Sequence, residues 1–167
     1  CQVVLGITLV DCLVLGFVTN ARCKDWYDSV SLWTDDVAKH PQSPIGYFYL
    51  GQQYFSKYEA ETNPTLKKAL ADTTLDYFNK SVARKPDYIN PIICIGELQR
   101  TYGQLAEAKK TYYTAMKINA KNESVYLGLG IVFAMGRQFD SAEYCFTTAL
   151  KLKPNFPEGL SNYANFL

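Results

Sequence analysis

From Tyr126 to Pro154, apolar and small residues recur at helical spacing in two runs, broken at Met135-Gly136-Arg137. Tyr126, Leu129 and Phe133 mark one face of the first run, and Phe146, Leu150 and Leu152 mark the second. That spacing belongs to helices that bury one side. Gly130, Ala142 and Ala149 stand between the bulky residues, and small side chains at a crossing let two backbones approach closely. Pro154 stops the second run, since proline lacks an N–H and restricts the residue before it. The stretch predicts a tight helical hairpin.

The pattern recurs. With Glu123 as position 1, one step back of 34 residues puts Gly96, Ala108, Tyr112 and Ala115 at positions 8, 20, 24 and 27, with Gly103 in the turn. One step forward starts at Pro157 and puts Leu160, Tyr163 and Ala164 at positions 4, 7 and 8. Ala120 stands where a closing proline is expected, which predicts a softer boundary there. Period and typed positions together resemble the tetratricopeptide repeat, a helix–turn–helix unit that must stack on neighbours to cover its apolar face. The resemblance implies an all-α solenoid, with repeats at 89–122 and 123–156 and the first helix of a truncated fourth at 157–167.

An earlier repeat covers 44–88. Tyr47, Leu50, Gly51 and Tyr54 fill positions 4, 7, 8 and 11, and Phe78, Ser81 and Pro86 close its second helix. About eleven residues more than the unit requires separate Gly51 from Pro86. Asn63-Pro64 reads as a helix N-cap followed by proline at the first helical position, so both helices are expected to lengthen around a short turn near Glu61–Asn63. Such an extended hairpin serves either as a docking prong or as a tolerated insertion. Upstream, residues 22–43 carry one amphipathic helix with Val30, Trp33 and Val37 on one face, a capping helix or half-repeat.

Residues 1–21 are dominated by the apolar run VVLGITLVDCLVLGFV. A membrane span wants about 20 residues, and the run starts near the first residue of the chain. Three readings stand: the end of a transmembrane helix, the h-region of a signal peptide, or a buried helix. Asp11 within lipid would need a partner or a polar cavity. Then come Arg22, Asp25, Trp26, Asp28, Leu32, Trp33, Val37 and Pro41, followed by YFYLGQQY and the long hairpin. This junction resembles the one in multispanning proteins related to protein O-mannosyltransferases that carry C-terminal tetratricopeptide repeats. The resemblance implies that the catalytic part lies upstream, that the chain is anchored in a membrane, and that the repeats are extracytoplasmic. Arg22 and Lys24 weigh the other way, since basic flanks mark the cytosolic side.

Charge adds little: 17 basic residues face 16 acidic ones, so bulk electrostatics do not point to nucleic acid. The 13 tyrosines, 9 phenylalanines and 2 tryptophans suit helix pairs packed around rings. Five cysteines at 1, 12, 23, 94 and 145 show no metal-site or disulfide spacing, and Cys94 and Cys145 read as buried thiols. The single histidine, His40, sits before Pro41 at a helix end, where capping is the plain reading. No nucleophile–base arrangement can be built without it, so neither catalysis, a cofactor nor a metal is expected. Asp35 and Asp36 point about 100° apart on a helix, as on a solvated face. Asn79-Lys-Ser and Asn122-Glu-Ser are glycosylation sequons.

What remains is a surface for a protein or peptide segment. In stacked repeats the first helices line the concave face. Repeat positions 2, 5, 9 and 12 place Ile45, Phe48, Gln52 and Phe55 there, then Asn90, Ile93, Glu97 and Arg100, then Leu127, Ile131 and Ala134. The groove is therefore expected to be aromatic at one end, with a Glu97/Arg100 pair midway. It lacks the several Lys, Arg and Asn of a clamp for peptide C-terminal carboxylates, and the asparagine ladder of O-GlcNAc transferases.

Overall fold

The computed structural model describes residues 29–167. The apolar run, the Arg22–Trp26 segment, Cys1, Cys12 and Cys23 lie outside the described residues. The described residues form eight helices: α1 (Ser29–Lys39), α2 (Pro44–Ala60), α3 (Pro64–Arg84), α4 (Ile89–Thr101), α5 (Leu105–Ile118), α6 (Glu123–Met135), α7 (Phe139–Leu152) and α8 (Pro157–Phe166). They stack as the hairpins α2/α3, α4/α5 and α6/α7, with α1 before and α8 after. Among the described residues no helix is long and apolar enough to cross a membrane.

Each hairpin closes over a glycine. A Cβ added to Gly51 would stand 2.6 Å from the Phe78 ring, one at Gly96 2.9 Å from Tyr112, and one at Gly130 2.9 Å from Phe146. The first helix thus presents a bare backbone to the ring of the second. Tyr112 also lies against Gly128, so its ring joins two successive hairpins. Around it pack Ile92, Val125, Leu129, Val132 and Cys145 as the main core cluster.

Helix ends repeat the period in backbone geometry. Lys85, Asn119 and Lys153 cap α3, α5 and α7 with nearly the same dihedrals, φ −143, −143 and −141° and ψ 90, 98 and 90°. Proline follows Lys85 and Lys153 and enforces that conformation, but Ala120 follows Asn119. The turn keeps the same conformation without the proline, and Asn119 Oδ1 accepts from the Lys121 N–H at 2.9 Å across it.

The inter-helix turns match too. Gly103 takes φ +74° after α4, and its N–H bonds the Arg100 carbonyl while Gln104 N–H reaches Gln99. Arg137 takes φ 55° after α6 with the same two bonds, to Ala134 and Phe133. Both are Schellman ends. The glycine of the second turn, Gly136, stands one residue early at an ordinary φ of −81°. Arg137 therefore occupies a left-handed position that disfavours a Cβ. Replacing Arg137 by Gly should stabilise the chain by about 0.5–1 kcal/mol, read as a higher thermal midpoint. An unchanged or lower midpoint would mean that the Arg137 side chain compensates the strain.

The long hairpin extends both helices: α2 has 17 residues and α3 has 21, against 13 and 14 in α4 and α5. Asn63 caps α3 through the N–H groups of Thr65 and Leu66, with Pro64 at the first helical position. The extension is not a free prong at its root. Tyr58 is buried with Ala71 and Leu98, stacks on Tyr102 at 5.8 Å and donates to Thr101 Oγ1 at 3.1 Å.

At the other end Trp33 of α1 stacks on Tyr49 at 4.5 Å. Arg84 joins the loop before α2 to α3: its Nε donates to the Pro41 carbonyl at 2.6 Å, and its guanidinium lies 4.0 Å from the centre of the Tyr47 ring. His40 pairs with Asp36 at 3.0 Å on the solvent side of this joint.

Candidate functional site

Three first helices, α2, α4 and α6, carry the residues expected on the concave face. Five of those residues come together. Ile93, Glu97 and Arg100 from α4 and Leu127 and Ile131 from α6 line one groove of about 410 Å³, closed by α8 and the residue before it. Its apolar lining comes from Ile93, Leu127, Ile131 and Phe156, and Ser124 and Asn162 add uncharged polar groups. Its charged groups are Glu97, Arg100 and Glu158.

The polar side is organised around one turn of α4. Arg100 Nη2 lies 3.6 Å from Glu97 Oε1, an i,i+3 pair. Glu97 keeps 40% of its side-chain surface open, yet burial holds its carboxyl above the ordinary glutamate range. Arg100 opposes that shift, and the charge of Glu59 adds to it. Tyr112 is 2% exposed, and burial first and Glu97 second push its phenol up. Cys94, one residue from the groove wall, is half-buried, with its thiol pushed up to about 12 by burial and then by Glu97. Cys145 is buried and raised to about 11 by burial alone. Both thiols are protonated at neutral pH and therefore poor nucleophiles.

The aromatic end departs from expectation. Phe48 is 5% exposed and does not face the groove. It packs with Phe78 and Ile95, and the Tyr88 ring meets it edge-on with the ring centres 5.3 Å apart. Tyr88 is the cap residue of α4, so the start of the next hairpin covers the position that the repeat pattern leaves open. Phe55 is half-buried, packed against both core clusters of the long hairpin and stacked on Tyr58 at 5.8 Å. Gln52 is half-buried on the same helix, Ile45 is 52% exposed, and Asn90 is exposed at the start of α4. None of these five lines the groove.

Several groove residues were not among those expected. Ser124 and Glu158 stand at the second position of their repeats, and Asn162 at the sixth of the last, so the same register finds them. Tyr112 and Phe156 belong to a second helix and a connection, and only packing brings them to the wall.

A second hollow of about 410 Å³ lies between α5, α6 and α7, walled by Tyr113, Met116, Tyr126, Phe133 and Tyr144. Its one charged lining residue is Asp140, so it offers volume with few directed polar groups. Among the described residues no group of His, Cys, Asp and Glu is placed to hold a metal ion. The sequon side chains have structural work: Asn122 Oδ1 caps α6 through the Val125 N–H, and Ser81 is buried and donates to the Pro44 carbonyl at 2.6 Å.

No protein-family profile and no curated protein sequence matches the chain. Solved structures do resemble it in fold. TTC0263, a thermophilic tetratricopeptide-repeat protein of Thermus thermophilus, superposes with a TM-score of 0.74 at 19% identity, over 92% of this chain and 75% of that one. MamA gives 0.61 at 18% identity, over 75% and 67%. The first tetratricopeptide-repeat domain of Spaghetti (RPAP3), bound to the HSP90 peptide SRMEEVD, gives 0.61 at 17%, over 75% and 90%. At these identities the likeness shows the fold, which is that of a tetratricopeptide solenoid.

Proposed function

We propose that this chain is a protein-interaction scaffold that takes an extended or helical segment of another protein on its concave face. The observation that carries this is the groove shared by α4, α6 and α8, where apolar side chains meet a few polar groups from the first helices of three successive repeats. A site of about 410 Å³ lies within the range of roughly 300–1,000 Å³ typical of ligand pockets and suits a short anchoring segment. The RPAP3 domain shares the fold and holds a peptide, which supports the reading. Its peptide ends in EEVD, however, and two carboxylates against one guanidinium do not suit an acidic end here.

A photo-crosslinking residue placed at Leu127 should form adducts with a bound partner, whereas one at Tyr144 on the second hollow should not. Adducts from Tyr144 with none from Leu127 would move the binding surface and sink the reading. As a second reading we propose a non-catalytic accessory domain of a membrane-bound O-mannosyltransferase-like protein, membrane-anchored with its repeats extracytoplasmic. It is supported by the Arg22–Pro41 junction sequence alone. It requires a multispanning segment with acidic loops upstream in the parent gene, and an open reading frame without one would remove it.

A further inference from the structure

We infer that the segment held in the concave groove is basic: an aliphatic or aromatic side chain seated among Ile93, Leu127, Ile131 and Phe156, followed by a lysine or arginine received by Glu97 and Glu158. This rests on the concave-groove reading above and adds the sign of the partner. The cations near the groove are already engaged. Arg100 faces Glu97 at 3.6 Å, and Lys153, 4.8 Å from the centre of the Phe156 ring, is held by Glu123 at 3.0 Å. Glu158 makes no ion pair among the described residues, and Glu59 adds its field to Glu97. The groove thus keeps net negative charge beside an apolar floor.

An incoming carboxylate would be desolvated against two like charges and would have to share the one guanidinium with Glu97. An ammonium or guanidinium would instead complete the hydrogen bonding of Glu158 and the open side of Glu97, the complementarity that selects one partner over another. Burial raises the Glu97 carboxyl and Arg100 only partly opposes it, so a second cation beside Glu97 would favour its charged form. The anchor and the cation need only be neighbours in a short segment, because floor and carboxylates belong to one groove.

The probe is a displayed library of random heptapeptides selected on the full 167-residue chain, with recovered peptides measured by fluorescence polarisation. Recovered sequences are expected to carry Lys or Arg within two residues of Leu, Ile or Phe. Joint Glu97→Gln and Glu158→Gln should weaken them tenfold or more, and Ile131→Asp should abolish binding. Leu127→Gln serves the same purpose if Ile131→Asp loses helical content. Peptides that are acidic or neutral, lost on Leu127→Gln but indifferent to the double Gln change, would keep the groove and overturn its sign. Peptides indifferent to both groove variants, or a library yielding none, would overturn the groove reading and this inference together.

Discussion

Gly130→Leu is expected to lower stability by about 3 kcal/mol, and Gly96→Leu by a similar amount. At Gly130 even a methyl group would stand 2.9 Å from Cδ1 and Cε1 of Phe146. That ring cannot retreat, since it is 2% exposed and lies 5.3 Å from Phe166 and 6.0 Å from Tyr163. At Gly96 the obstacle is Tyr112, pinned from its other side by Gly128. Overpacking at such a crossing must part the helices or force rings off their rotamers. Gly136→Ala is the control, because its added Cβ would meet nothing nearer than the Val132 carbonyl at 3.4 Å. Urea midpoints for both Leu variants equal to the parent would show that the hairpins are not closed at these glycines.

Phe48→Ala is expected to cost about 3–5 kcal/mol, the range for emptying a buried phenylalanine site. Phe78, Ile95 and Tyr88 surround Phe48, and Leu50 and Gly51 beside it are also buried, so little can collapse into the void. Leu127→Gln, on the open wall of the groove, should change stability by less than about 1 kcal/mol while affecting binding. The pair of variants separates core from site on one protein. If Phe48→Ala keeps its parent's midpoint, the aromatic junction of the first hairpin is not the seam of the core described above.

The difference between Phe48 and Ile131 marks the limit of reading the chain alone. Both occupy positions that the repeat pattern sends to the concave face, and Ile131 does line the groove. Phe48 does not, because the Tyr88 ring, 40 residues on in the chain and itself outside any typed position, folds back over it. Nothing near Phe48 in the sequence records that neighbour. The wall residues Tyr112 and Phe156 were hidden for the same reason, since they arrive from a second helix and a connection.

Local features were legible where a local cause was sufficient. Apolar spacing at 3.6 residues per turn marked the helix pairs, and Asn63-Pro64 marked the turn of the long hairpin. The glycines at the crossings were readable because a 34-residue period set each against a ring in its own hairpin. Two turns use residues the repeat pattern does not type, since Asn119 takes the conformation that precedes a proline elsewhere and Arg137 takes the left-handed position that Gly103 fills in the preceding repeat. Apolar spacing, caps and the small residues of the repeat thus determined the helices, their pairing within hairpins and the crossings. Which side of α2 stays open, and where apolar floor and carboxylates converge, was decided only when successive hairpins stacked. Contact between stacked hairpins depends on the shapes of side chains far apart in sequence, and burial there outweighs any single position's place in the repeat.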